Sequence, residues 1–213
     1  MTAVLRALAG VLLAALVLGG CGAPDDETAR PRATTTLPPE LPKDLPLLPV
    51  GRGDVGPGDT VSARGSTLVV NGKRVSLAPM RIDEFAVVQG GVFFRNGLEL
   101  WFTDLSRARA TGFGDVGSVV ASTDGRKMAF LDFQHGPKDQ FGTPLAISIA
   151  YDATTGRSLV ASYAGMGDLA KDDLLDLYED AEPRILGFDG DDLLVHGATG
   201  GDRRIALPGG TAG

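Results

Sequence analysis

Residues Ser118 to Phe133 read SVVASTDGRKMAFLDF. Two β-rich apolar runs flank the turn signal Thr123-Asp124-Gly125, where glycine tolerates the positive φ that a tight reversal needs. Short runs of this kind on either side of a turn signal are typical of two antiparallel strands. The segment therefore predicts a β-hairpin.

Three more hairpins are predicted on the same grounds. They lie around Asn71-Gly72, around Asn96-Gly97 and around the four residues 189–192, each between apolar runs. Both central residues of a type I′ turn need positive φ, which Asn and Gly tolerate, so we expect this turn at both Asn-Gly pairs. With 30 Gly and 13 Pro in 213 residues, the composition also favours short strands and turns over a helical bundle. The chain from Thr60 onward is predicted to be all-β.

The hairpins combine into larger units. Residues 85–110 and 116–162 each read as three strands joined by turns, with a fourth strand following. The third strand of each unit ends in an aspartate, Asp104 or Asp152, followed by Ser or Thr. The two aspartates lie 48 positions apart, near the period of roughly 40–45 residues of a four-stranded propeller blade. We expect both side chains to stabilise turns by accepting hydrogen bonds from backbone N–H groups.

The repeated units resemble a known family. The stretch STDGRKMAF, Ser122 to Phe130, resembles the Ser-Pro-Asp-Gly-Lys-x-Ile-Ala-Phe repeat of the TolB-like and WD40-like bacterial β-propellers, with Thr123 in place of the proline. Residues 151–157 resemble the Asp-x-x-Thr-Gly hairpin that follows it. The resemblance implies a WD40/TolB-like β-propeller, or a partial one of about 3–4 four-stranded blades, and such folds usually serve as binding platforms. Because propellers typically have 4–8 blades, an open assembly, blades shared between chains and a truncated relative all remain alternatives.

One segment interrupts the β pattern. In residues 168–182, Leu174, Leu177, Tyr178 and Ala181 recur at helical spacing, and a proline follows. This pattern predicts a short inserted helix near 169–181. The segment holds seven carboxylates and one Lys, which we interpret as a solvated face. A dock for a basic partner or a weak cation site is the alternative.

The N-terminal residues have the pattern expected of a targeting signal. Arg6 precedes an uncharged apolar run, Ala7 to Leu18, that is shorter than the roughly 20 residues needed to span a bilayer comfortably. The run ends in Leu18-Gly19-Gly20-Cys21, which resembles the bacterial lipobox. That resemblance implies a signal peptide over residues 1–20, cleavage between Gly20 and Cys21, and lipidation of Cys21 by fatty acyl chains such as palmitate, which anchor the chain in a membrane. A plain secretory signal and an uncleaved anchor are the alternatives.

Residues 21–58 are predicted to form a Pro-rich, lipid-anchored tether and strap. Proline and charge dominate the first part, a composition that favours disorder. From Leu37 to Val50, leucine recurs beside proline, which predicts an extended strap along the folded domain. A Pro-rich ligand for a partner module is the alternative. The β-propeller-like domain is then predicted to span residues 59–213.

The sequence gives no sign of catalysis. It contains no Gly-x-Ser-x-Gly, no His-Glu-x-x-His and no Gly-Lys-Ser/Thr. We interpret His135 and His196 as structural or surface residues and the aspartates of 189–192 as turn residues. Residues 197–201 resemble a phosphate loop only in glycine content, because they lack the following helix that such a loop needs. We therefore predict no catalytic, cofactor-binding or metal-binding residues and no enzyme. Cys21 is the only cysteine, so an intrachain disulfide is excluded.

These features together predict a lipid-anchored extracytoplasmic binding or scaffold protein of the bacterial cell envelope. Its expected partners are membrane lipid, through acylated Cys21, and an envelope protein or glycan. The net charge of −7 argues against nucleic acid. The alternatives are a propeller-based hydrolase, an accessory domain of an envelope enzyme, or a truncated relative without activity. A concave pocket that gathers titratable residues would favour the hydrolase.

Overall fold

The computed structural model describes residues 39–208, which belong to one compact unit that begins at Pro39. The predicted all-β class is confirmed. The described residues form four antiparallel sheets of three or four strands and one short helix, with no closed barrel.

Each sheet is a meander in which strands that follow one another along the chain lie side by side. Sheet 1 contains β1 (Val61–Arg64), β2 (Thr67–Val70) and β3 (Lys73–Ser76). Sheet 2 contains β4 (Glu84–Val88), β5 (Gly91–Asn96), β6 (Glu99–Thr103) and β7 (Ala108–Ala110). Sheet 3 contains β8 (Val116–Ala121), β9 (Lys127–Asp132), β10 (Ile147–Asp152) and β11 (Arg157–Ser162). Sheet 4 contains β12 (Arg184–Asp189), β13 (Asp192–His196) and β14 (Asp202–Ala206).

The two predicted four-stranded units are confirmed as sheets 2 and 3. Sheets 1 and 4 have three strands each, so two of the expected 3–4 units are four-stranded and the other two are incomplete. The outer edge strands of these two sheets, β3 and β14, carry mostly exposed Lys, Arg or Asp side chains. Charged side chains on an edge discourage pairing with another strand.

The hairpin turns form at the predicted glycines, but one of them uses a different pair of residues. Asn71 and Gly72 both have positive φ, 49° and 80°, as the type I′ prediction requires. In the second hairpin Asn96 pairs with Glu99, so the two-residue loop is Gly97-Leu98 and only Gly97 has positive φ. Because leucine disfavours positive φ, this loop takes the type II′ pattern with glycine first, and Asn96 stays in the strand.

Three hydrophobic clusters hold the sheets together, one between each pair of consecutive sheets. Cluster 1 joins sheets 1 and 2 through residues such as Leu68 and Phe94. Cluster 2 joins sheets 2 and 3 and includes Phe93 and Phe130. Cluster 3 joins sheets 3 and 4 and the helix. Because side chains alternate along a strand, neighbouring Phe93 and Phe94 enter different clusters, and sheets 2 and 3 bury both faces. Among residues 39–208, no cluster joins sheet 1 to sheet 4.

The inserted helix is shorter than predicted. It is α1 (Leu174–Ala181), and it begins five residues after the predicted start at 169. A turn occupies the residues before it, with the Asp172 backbone N–H donating to the Asp168 carbonyl at 2.9 Å. The Asp173 side chain then accepts from the Leu175 backbone N–H at 3.1 Å and caps the helix. The predicted end before Pro183 is confirmed.

Residues 45–57 lie along sheets 2 and 3 as a strap. Leu48 is buried in cluster 2, and its backbone N–H donates to the Gly156 carbonyl at 2.9 Å. The Tyr151 hydroxyl donates to the Pro46 carbonyl at 3.0 Å, and the Gly90 N–H donates to the Val55 carbonyl at 2.8 Å. Prolines cannot donate to a ladder, so the strap adds anchoring contacts without becoming a further strand.

We expect Leu48→Ala to lower the free energy of unfolding by about 2–4 kcal/mol, because it removes a large side chain from a packed cluster. Leu48 is 3% exposed and its neighbour Leu47 is 69% exposed. Leu47→Ala is therefore the matched control and should change stability by less than about 0.5 kcal/mol. Urea unfolding of both variants measures the difference, and equal effects would contradict the packing of the strap.

Candidate functional site

Turns from sheets 2, 3 and 4 meet at one end of the molecule, which we call the turn face. It contains the turns at 89–90, 122–126, 152–156 and 190–191. The Gln89 backbone N–H donates to the Gly125 carbonyl at 3.0 Å, and Gln89 Nε2 donates to the Asp124 carbonyl at 3.0 Å. Lys127 Nζ donates to the Gly190 carbonyl at 3.1 Å and to Asp191 Oδ1 at 2.8 Å. The turn of sheet 3 is thus bonded to the turns on both sides of it.

A cleft of about 590 Å³ opens on the turn face. Its lining combines three carboxylates, two cations, two uncharged polar side chains and an apolar part, contributed by Gln89, Asp124, Arg126, Lys127, Asp152, Thr154, Leu159, Asp191, Leu207 and Pro208. A concave site with a few converging polar groups is the usual form of a ligand site. This cleft is therefore the candidate functional site.

Asp124 is held by its own turn. Its Oδ1 atom accepts from Ser122 Oγ at 2.6 Å and from the Arg126 backbone N–H at 3.0 Å. The Ser122 hydroxyl, followed by that N–H group, lowers the pKa of the Asp124 carboxyl. The carboxylate is ionised at neutral pH, and its Oδ2 atom accepts no hydrogen bond from any described residue.

Asp152 occupies an equivalent turn in the same sheet. Its Oδ1 atom accepts from the Thr154 N–H at 2.7 Å, from Thr154 Oγ1 at 2.6 Å and from the Thr155 N–H at 3.2 Å. Burial alone would raise the pKa of Asp152, but the Thr154 and Thr155 hydrogen bonds outweigh burial and lower it. Asp104 accepts from Ser106 in the same way. The predicted turn role of Asp104 and Asp152 is confirmed, and Asp152 also lines the cleft.

The charged groups of the cleft differ in whether they already have a partner. Lys127 is engaged by Asp191, while the exposed Arg126 guanidinium has no ion pair among the described residues. The Asp124 Oδ2 atom and this guanidinium can bond a ligand that carries both donors and acceptors. A general acid or base works best with a pKa near the operating pH, and the pKa values of Asp124 and Asp152 move away from it.

His135 lies elsewhere and has a partner that sequence reasoning missed. Its Nδ1 atom is 2.8 Å from Oδ2 of the fully buried Asp132, whose Oδ1 accepts from the Gln134 N–H at 3.0 Å. Burial raises the pKa of Asp132, opposed by the hydrogen bonds from Gln134 and His135. The imidazole also packs edge-on against Phe113 at 5.2 Å between ring centroids. His135 does not line the cleft.

The remaining candidates lie in sheet 4 and its turns. His196 pairs across the strand with Asp202, with Nδ1 2.8 Å from Oδ1. Arg204 Nη2 donates to Asp189 Oδ2 at 2.6 Å, and Arg204 Nη1 donates to Asp192 Oδ2 at 3.2 Å. Asp191 lines the cleft. The glycines of 197–201 form a hydrogen-bonded turn.

The lipidation and cleavage residues, Gly20 and Cys21, lie outside the described residues. Within residues 39–208, no three His, Cys, Asp or Glu side chains are grouped as metal ligands. No helix of that range has the length and apolarity to cross a membrane.

Comparison with known proteins leaves the family open. Neither a protein-family model nor a curated protein sequence matches the chain. One fold class hosts many functions, so the functional conclusion depends on the chemistry of the cleft and of the N-terminal segment.

We expect Asp124→Ala to lower the free energy of unfolding by about 1 kcal/mol at neutral pH, because the turn loses its acceptor. In the folded chain the pKa of Asp124 lies below the value of roughly 3.9 that it has in the unfolded chain. The ionised carboxylate therefore contributes fully to the free energy of unfolding at pH values above about 3.9. This contribution is lost as the pH falls through the lowered pKa. The difference between native chain and variant should therefore shrink in acid.

Urea unfolding at a series of pH values measures this effect. Asp54→Ala is the matched control, because Asp54 is exposed and accepts no hydrogen bond from the described residues. A difference for Asp124→Ala that stays constant down to about pH 3 would contradict the ionised turn carboxylate.

Proposed function

We propose that the protein is a lipid-anchored binding or scaffold protein on the extracytoplasmic face of the bacterial cell envelope, and that the turn-face cleft holds its ligand. The observation that carries the proposal is the cleft itself. Three separate turns are bonded into one rim, with charged groups of both signs and an apolar wall facing the same volume. A rim fixed in this way is preorganised, which reduces the entropy cost of binding.

A partial β-propeller of WD40/TolB-like blades is the architecture we propose. Four meanders follow one another along the chain, and the first strands of sheets 2, 3 and 4 pack beside one another as β4, β8 and β12. First strands side by side, with turns gathered at one end, are expected of blades arranged around an axis. The shared clusters between consecutive sheets support the same arrangement.

The lipid anchor rests on the sequence. The only cysteine of the chain stands directly after Leu18-Gly19-Gly20, where the lipobox resemblance requires it. The segment 21–38 separates this cysteine from the compact unit, and a fully extended chain of that length reaches at most about 60 Å. The proposed partners are membrane lipid through Cys21 and an envelope protein or glycan in the cleft.

A propeller-based hydrolase is the second candidate function, and the Asp132–His135 pair is the observation that favours it. A buried carboxylate on imidazole Nδ1 is how catalytic triads orient their base. However, no hydroxyl or thiol of residues 39–208 is hydrogen-bonded to His135. The binding platform is therefore the function that the geometry supports better.

The anchor is tested by the mass of the mature chain from the membrane fraction of its own host. We expect the mature chain to begin at Cys21 with the added mass of acyl chains. The Cys21→Ser variant should lack this mass, and it should either leave the membrane fraction or retain its signal peptide. Thr35→Ser, in the same tether, should behave as the native chain. A mature chain that begins at an unmodified residue other than Cys21 would refute the anchor.

The cleft is tested by photo-crosslinking in the same envelope, with the crosslinking residue placed at Thr154 inside the cleft. The control position is Ser158, which is exposed in the same sheet but does not line the cleft. We expect a product specific to position 154 that is lost in Arg126→Glu. An empty profile at position 154, together with hydrolase activity that His135→Ala removes without unfolding the chain, would replace the platform with the hydrolase.

A further inference from the structure

We propose that one face of sheet 1 is a contact for anionic lipid headgroups, so that the tethered domain sits on the membrane with this face toward the bilayer. The proposal rests on the proposed lipid anchor and adds an orientation to it. The face is the side of sheet 1 turned away from sheet 2, and we call it the basic face.

The strand register defines the basic face. Ala63, Leu68 and Val75 lie opposite one another and point into cluster 1. Because alternate residues point to opposite sides of a strand, the next positions point outward. The basic face therefore consists of Ser62, Arg64, Thr67, Val69, Arg74 and Ser76. Lys73 pairs with Val70 and so belongs to the other side of the sheet, where it is exposed at the end of β3.

Charge on this face is of one sign. Residues 60–82 contain no carboxylate, and Arg64, Lys73 and Arg74 are exposed without an ion pair among the described residues. The Asp59 carboxylate precedes β1 and accepts from Asn71 Nδ2 and the Gly56 N–H; these hydrogen bonds lower its pKa, so it is the one negative charge beside the turn of β2 and β3 among the described residues. By contrast, residues 168–204 hold eleven carboxylates and four Lys or Arg. The chain is acidic overall, but sheet 1 is its basic end.

Lipid phosphate fits this face better than a second copy of the chain does. Guanidinium and hydroxyl groups donate hydrogen bonds to phosphate oxygens. The basic face offers two guanidinium groups and three hydroxyl groups. In sheet 4, Asp189 and Asp192 are already paired with Arg204, which leaves these two carboxylates little free charge for another copy. The carboxylates of the helix segment 172–182 form no ion pair among the described residues, so a second copy that presents this segment is the competing occupant, and the mass in solution tests it.

The anchor makes a weak contact sufficient. A tethered domain meets the membrane at high effective concentration, and each Lys or Arg near an anionic leaflet favours contact by about fivefold. Charges farther than about 8 Å from the surface are screened at physiological salt, so the sign of the contacting face decides the orientation. The cleft is lined by sheets 2 to 4 and the segment after β14, so contact through sheet 1 uses none of its residues.

The test uses residues 21–213, which keep the whole compact unit, with Cys21→Ser and an N-terminal hexahistidine tag on chelating lipid in place of the acyl anchor. A single dye is attached through Ser62→Cys on the basic face or through Thr199→Cys, an exposed control in the turn between β13 and β14. Energy transfer to headgroup-labelled acceptors is then measured on phosphatidylcholine vesicles with and without phosphatidylglycerol.

We expect at least twofold greater transfer from position 62 than from position 199 when phosphatidylglycerol is present. This difference in energy transfer should disappear without phosphatidylglycerol. It should also disappear at about 1 M salt, where the Debye length is about 3 Å and the charges are screened. Arg64→Glu with Arg74→Glu should abolish it. Arg184→Glu with Arg203→Glu is the matched control, because it makes the same change in net charge on sheet 4 and should preserve the difference.

Equal transfer from both positions, or a difference that Arg64→Glu with Arg74→Glu leaves intact, would overturn the proposal. A doubling of mass with concentration in solution, lost in the same double variant, would assign the face to a second copy of the chain and also overturn it. The chelating lipid replaces acylation, so the outcome is independent of whether Cys21 is lipidated, and the mass of the mature chain tests that anchor separately.

Discussion

One turn, Ser122 to Lys127, bonds sheet 3 to both of its neighbours, sheets 2 and 4, at the edge of the clusters that the sheets share. Its Gly125 carbonyl accepts from Gln89 in sheet 2, and the Lys127 side chain reaches the turn of sheet 4. Gly125 has φ +66°, and a Cβ atom there would lie 3.0 Å from both the Gln89 N atom and the Pro57 side chain of the strap. Glycine at this position satisfies the turn and also allows two neighbouring segments to approach it.

This turn matters because each sheet is too small to be stable alone. A meander of three or four short strands needs a packed face, and sheet 3 supplies one on each side. Residues Met128 to Leu131 of β9 are completely buried, as expected of a strand covered on both faces. Leu48 of the strap extends the cluster between sheets 2 and 3. Sheets 1 and 4 have one packed face each, and their outward faces carry the charge.

Local features were readable from the sequence, because turn chemistry depends on a few adjacent residues. Asn71-Gly72 and the turn roles of Asp104 and Asp152 were predicted and are confirmed. The turn at Asn96 was wrong by one residue, since the strand register, rather than the dipeptide, decides which residues form a two-residue loop. The helix start was misplaced because spacing alone cannot separate a preceding hydrogen-bonded turn from the first helical turn.

The candidate site was beyond sequence reasoning. Lys127 and Asp191 are 64 residues apart, and nothing in either stretch signals their pairing. Asp124 and Asp152 were interpreted correctly as turn residues, but only the packing of the sheets makes them line one cleft. Asp132 and His135 are close in the chain, yet the burial that shifts the pKa of Asp132 comes from the tertiary structure.

The turn and the shared clusters make sheets 2, 3 and 4 one cooperative unit. Trp101, the only tryptophan, lies in sheet 2, and amide hydrogen exchange of Leu193 to Val195 follows sheet 4. We predict that Trp101 fluorescence and protection of these amides are lost at the same urea concentration. Separate transitions, with sheet 4 opening while the fluorescence of sheet 2 is unchanged, would contradict the account.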